Sequence, residues 1–210
     1  MKKSLSLGFI LLLIITLAAS GADKKKPKNL IIFIGDGMGV AQVYASMTSS
    51  GFTMTFPAFP VTGFSITYSA DRYITDSAAG GTALSTGEKT NNGMLAVRPD
   101  STQLKTIMEI AKTAGLSTGV VSTSTVTHAT PASFIAHDAS RGSYEDIARW
   151  FLKGTADVFI GGGVNHFRLR KDSADLTVDL KKMGYDVVYN LSDLKKSSSS
   201  RIAGLMADGD

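Results

Sequence analysis

One serine follows an acid at the head of a run of small residues in Asp76-Ser77-Ala78-Ala79-Gly80-Gly81-Thr82-Ala83-Leu84-Ser85-Thr86-Gly87. The segment should begin a helix. A helix N-terminus offers free N–H donors and a partial positive charge, and so favours an anion. A serine hydroxyl placed there suits attack on a phosphoryl or acyl group. The plainer reading of Ser77 is a cap in a tightly packed segment.

Four further positions could join it. Asp36 stands in Gly35-Asp36-Gly37-Met38-Gly39, either as a turn aspartate or helix cap or as a carboxylate metal ligand with the backbone crowded round an ion. A dinucleotide loop fits poorly: the spacing is Gly-x-Gly-x-Gly, and no acid lies between Asp36 and Asp71 to hold a ribose. His128 and Thr130 fall in Thr-Ser-Thr-Val-Thr-His-Ala-Thr-Pro, residues 123–131, a polar loop that could simply cap the next helix. Arg141 reads either as a solvated charge near a helix C-terminus or as a guanidinium fork matching a phosphate dianion. A Gly-x-Ser-x-Gly elbow is absent, which weakens an esterase reading, and so is a Gly-x-x-x-x-Gly-Lys phosphate loop.

Alternating elements must position these residues. The apolar run Asn29 to Gly35 has the pattern of a strand buried on both faces, and Met38 to Ser49 predicts a helix. Val61 to Tyr68 predicts a second strand. Asp100 to Ala114 predicts a helix capped by Asp100 with Gln103 three residues on and closed by Gly115. Ser117 to Ser122 predicts a strand, Pro131 suits a first helical turn, and Arg141 should end a short helical segment. Ser143 to Lys153 predicts a helix, Asp157 to Ile160 a strand closed by three glycines, Ser173 to Met183 a helix and Asp186 to Tyr189 a strand. Helices alternating with short apolar strands make an α/β fold with a mostly parallel sheet. In such sheets the ligand site lies beyond the carboxyl ends of the strands. Asp36, Ser77 and His128 all fall there.

The 210 residues allow one domain, and 43% hydrophobic content suffices for a packed core. Residues 1–22 read as a secretory signal: Lys2 and Lys3, an apolar run from Phe9 to Ala19, then small residues for cleavage. The run is short for a membrane span of about 20 residues, so no stable membrane anchor is expected. Residues 23–28 form a basic linker ahead of a domain over 29–210. The net charge of +4 comes from this leader; without its six lysines and Asp23, 16 basic groups face 17 acidic ones. That is no argument for nucleic-acid binding. The complete lack of cysteine excludes disulfides and thiolate ligands.

In this order, Asn-Leu-Ile-Ile-Phe-Ile-Gly-Asp-Gly-Met-Gly, Thr-Asp-Ser-Ala-Ala-Gly-Gly-Thr-Ala-Leu-Ser-Thr-Gly, His-Ala-Thr-Pro with Ser-Arg following, and Asp-Val-Phe-Ile-Gly-Gly-Gly resemble the N-terminal, nucleophile-bearing part of the alkaline phosphatases. The resemblance implies a parallel sheet sandwiched by helices, present here incompletely, and an exported (periplasmic or extracellular) phosphomonoesterase using Zn2+ and Mg2+. Ser77 resembles the nucleophile that becomes a phosphoserine. Arg141 resembles the arginine that holds two phosphate oxygens, and Asp76 the acid that orients it. Asp36 resembles the carboxylate bridging one zinc and the magnesium, and Thr130 the magnesium-site hydroxyl. His128 occupies a position where family members carry Asp or His, so the third metal site should be less selective for magnesium.

The substrates implied are phosphate monoester small molecules. Family members are commonly dimers, which makes a homodimer an expectation of the resemblance alone. His128, His137 and His166 are the only histidines, and none has the context of the family's zinc motifs. The chain is therefore expected to be a truncated part lacking complete zinc sites. The alternative is a short, catalytically inactive relative that binds phosphate-like anions through Ser77 and Arg141. A sulfatase is disfavoured because its aldehyde-forming motif is absent.

Overall fold

The computed structural model describes residues 27–55 and 58–210. The proposed signal over 1–22 and most of the basic linker lie outside the described residues. The chain divides into two units at Gly35 and Asp36. In the first, residues 27–35 are exposed and form no strand, with Phe33 86% exposed. The expectation of a buried strand over Asn29 to Gly35 is thus corrected.

The second unit begins with α1, Val40–Ser49, close to the expected Met38 to Ser49. No residue of α1 is buried. Val61 to Tyr68, expected as a strand, has no regular structure, and Phe64 is fully exposed. Then come α2, Ser77–Thr86, and α3, Ile107–Thr113. Helix α3 starts later than Asp100. The Asp100 carboxylate instead accepts from Thr102 N at 2.9 Å, closing a turn. Thr106 caps the helix with Glu109 three residues on, and its hydroxyl also donates to Phe134 O at 2.9 Å. Gly115, at φ +75°, ends the segment as expected.

From there the alternation holds. Strand β1, Gly119–Thr125, leads to α4, Ala129–Ala132, which contains Pro131. Helix α5, Tyr144–Trp150, runs on through a 3-10 turn, Phe151–Lys153, into β2, Val158–Gly162. Helices α6, Val164–Arg168, and α7, Leu176–Lys182, precede β3, Asp186–Val188. Helix α8, Leu191–Lys196, precedes β4, Ile202–Leu205. The four strands pair in parallel throughout this sheet, in the order β1-β2-β4-β3.

Strands β2, β3 and β4 are short and mostly apolar, as crossover connections that lay helices on a parallel sheet require, whereas β1 is more polar and exposed. Phe151, Phe159 and Phe167 form the aromatic centre of the core, with Phe151 and Phe159 centroids 4.7 Å apart and edge-on. Tyr185 leans on Phe159 at 5.6 Å, and Ile135, Ile147, Leu180 and Leu205 fill the rest. The core therefore lies around the parallel sheet, whose β1 delivers the chain directly to His128.

Candidate active site

Ser77 is the first residue of α2 and is half-buried. Asp76 caps the helix: one carboxylate oxygen accepts from Ala79 N at 2.9 Å. Small residues behind Ser77 let α2 press against α4. A Cβ added at Gly81 would stand 2.3 Å from the Ser133 hydroxyl, and Ser85 Oγ donates to Ser133 O at 2.7 Å. The small-residue run is therefore a packing device as well as a helix start.

The other Asp76 oxygen accepts from Arg141 Nη1 at 3.0 Å and from Gly93 N at 3.0 Å. One carboxylate thus ties together the head of the serine helix and a guanidinium 65 residues away. Arg141 lies in a turn rather than at the end of a helix, which corrects the expectation, and its N–H donates to Gly93 O at 2.7 Å.

Sequence reasoning missed the segment that braces this corner. Asn92 Oδ1 accepts from Asp76 N at 3.1 Å, and Asn92 Nδ2 donates to Ile74 O at 3.0 Å. Asp71 accepts from Asn92 N at 2.8 Å, and that backbone N–H holds the Asp71 carboxyl below its ordinary range. The turn signal of Asn91-Asn92-Gly93 could have marked it.

On the other side stand the residues that follow β1. The Arg141 Nη2 lies 3.3 Å from His128 Nε2. A guanidinium only donates, so this ring nitrogen stands as the acceptor of the pair. Thr130 Oγ1 donates to Asp36 Oδ2 at 2.7 Å, although 94 residues separate them. Asp76, Arg141 and His128 thus form one hydrogen-bonded corner beside Ser77, and Asp36 pairs with Thr130. Of the expected positions behind strands, only that of His128 is met, because the segments before Asp36 and Ser77 form no strand.

Asp36 and Thr130 offer hard oxygen donors of the sort a magnesium ion takes, and His128 offers a nitrogen. They do not amount to a whole metal site. Among the described residues, no three His, Asp or Glu side chains stand together. His137 lies apart, bonded to Ala96 O and Glu109. His166 bonds Thr127 Oγ1 at 2.6 Å and stacks on Tyr144. Burial pushes the His166 ring down from its ordinary value, and the Asp210 and Glu145 charges only partly oppose that.

These features define a class: a parallel α/β protein presenting a serine at a helix head beside an arginine, an arrangement suited to an anion. The family model described as alkaline phosphatase matches residues 27–210. The chain belongs to the alkaline phosphatase family. It is 40% identical to alkaline phosphatase 4 of Bacillus subtilis over 91% of this chain and 44% of that protein. It is 34% identical to the alkaline phosphatase of Escherichia coli, over 88% and 47% respectively. The alkaline phosphatase structure from the Antarctic bacterium TAB5 matches with a TM-score of 0.82 and 41% identity, over 88% of this chain and 55% of that one. The chain thus spans about half the length of these relatives.

Proposed function

We propose that the whole protein is an exported, zinc- and magnesium-dependent phosphomonoesterase that passes through a phosphoserine at Ser77. The observation that carries this reading is the double use of Asp76, which caps the Ser77 helix and holds Arg141. Ser77 Oγ attacks the phosphorus of a monoester dianion, the bond to the leaving alcohol breaks, and water later frees phosphate from the serine. Arg141 grips two phosphate oxygens, and Asp76 keeps the fork turned toward them. The helix-head N–H groups add favourable potential for the anion.

Asp36, Thr130, His128 and Ser77 itself are proposed as this chain's share of the metal ligands. Bound divalent ions supply charge neutralisation and nucleophile activation in such sites. The relatives support the metals. A histidine-to-aspartate mutant of the TAB5 enzyme, a structure matching with a TM-score of 0.81 and 39% identity, has Mg bound in its M3 site. We propose His128 as the third-site position of this chain, where a histidine in place of an aspartate leaves the site less selective for magnesium. The inactive alternative has no support from the similarities, which are to alkaline phosphatases. No helix among the described residues is long and apolar enough to cross a membrane. A cleaved signal over 1–22 and a linker over 23–28 suit a family match that begins at residue 27; N-terminal sequencing of the secreted protein checks the cleavage.

The test of the function is turnover of a chromogenic phosphate monoester by the whole protein with zinc and magnesium. Ser77→Ala should lower kcat/KM by about a thousandfold or more. Acid-quenched protein should carry a phosphoryl group on the Ser77 peptide. Retained rate, or an adduct elsewhere, refutes the assignment.

A further inference from the structure

A cleft of about 590 Å³ lies away from the Ser77 corner. Its walls are α3 with the residues just before it, and Lys153–Thr155, which lead into β2. His128 and Thr130, by contrast, lie on the chain leaving β1. The volume is that of a small-molecule site.

Its lining is cationic. Lys105, Lys112 and Lys153 face it, with Gln103 as a further donor, and Glu109 is its one carboxylate. That carboxylate is already engaged. Glu109 Oε2 accepts from Thr106 N at 2.8 Å, and Oε1 meets His137 Nε2 at 3.0 Å. His137 Nδ1 lies 2.9 Å from Ala96 O. Both ring nitrogens therefore face oxygen atoms of the protein. The His137 side chain is only 3% exposed. Lys112 pairs with Asp157. Lys105 and Lys153 form no ion pair among the described residues. The cleft thus combines a floor whose one carboxylate is already hydrogen-bonded with two ammonium groups at its walls that form no ion pair.

We propose that this cleft binds a small anion carrying more than one phosphate group, separately from the Ser77 corner. Two free lysines on different walls match two charged groups on one ligand better than a single monoanion. Lys112 can join them by sharing Asp157.

A reporter is built in. Trp150, the only tryptophan of the chain, meets the His137 ring edge-on at 4.9 Å. The experiment titrates inorganic pyrophosphate into the full chain carrying Ser77→Ala, which prevents turnover, and follows Trp150 emission. The expected result is a saturable change whose midpoint rises about tenfold or more in the Lys105→Glu/Lys153→Glu pair. The milder Lys105→Gln/Lys153→Gln pair should weaken binding in the same direction. Added Arg141→Ala should leave the midpoint in place, which separates this cleft from the proposed catalytic corner. The proposal is overturned by the absence of saturation, or by an equal change with sodium chloride at matched ionic strength. An unmoved midpoint in the lysine variants, or loss of the signal with Arg141→Ala, also overturns it. A response to phosphatidylserine vesicles without one to pyrophosphate would assign the face to a membrane surface instead.

Discussion

Val61 to Tyr68 and Val158 to Gly162 are built from the same kinds of residue, β-branched and aromatic among glycines, yet they end in opposite states. The second lies between β1 and β4, hydrogen-bonded along both edges, with Phe159 fully buried. The first has no ladder, and Phe64 is fully exposed. A strand is a property of a pair, so composition marks a segment as strand-capable while neighbours decide the outcome. The same contrast holds for Asn29 to Gly35, whose two-sided apolar pattern demands cover on both faces that its described residues do not have.

Breaking the ordered side of this comparison should have the largest effect. Phe159→Ala removes the ring at the aromatic centre and should cost about 3–5 kcal/mol of unfolding free energy in a denaturant titration. Gly81→Val comes next. Its Cβ would collide with Ser133, forcing α2 off α4, and the expected loss is about 2–3 kcal/mol, read as a lowered Tm.

Glu109 sharpens the comparison through pH. Partial burial would raise its carboxyl, but the Thr106 N–H and the His137 ring outweigh that and hold it below its ordinary value. A depressed folded value gives a contribution that is full above the unfolded value and lost as pH falls through the folded one. Stability of the native chain should therefore fall as pH drops below about 4.5, and Glu109→Gln should flatten that slope. Matching slopes would show that the capping carboxylate is not the titrating group.

The smallest effect belongs to the unpaired side. Phe64→Ser should change unfolding free energy by no more than about 0.5 kcal/mol, since the ring makes no buried contact to lose. A large loss there would show that the segment packs in solution and would erase the contrast.

What the sequence made legible follows from these facts. Signals closed over a few residues were readable: the start of a helix at Ser77, though its cap is Asp76, Gly115 ending α3, and the strand–helix alternation from β1 to β3. Helix α3 was placed too early because Asp100 with Gln103 and Thr106 with Glu109 both fit a capping pattern. A distant bond, Thr106 to Phe134, favours the second. Strand β4 was not legible from local pattern, since four residues are too few to show a period. The pairing of Arg141 with Asp76 was legible only by resemblance, because nothing local links residues 65 apart. Asn92 and Gly93 went unseen because their role lies in backbone hydrogen bonds, which residue types do not announce.

Gly93 is where the corner's geometry is adjustable. The peptide plate before its α-carbon gives an N–H to Asp76, and the plate after it gives a C=O to the Arg141 N–H. Each plate is stiff, so the only joint between them is the Gly93 α-carbon, held at φ +88°. The serine helix and the arginine turn are therefore two arms of one hinge whose pin has no side chain to brake it. A residue with a Cβ at this pin would pay for the left-handed angle and tend to unfold the hinge, changing the spacing of both arms together without touching either.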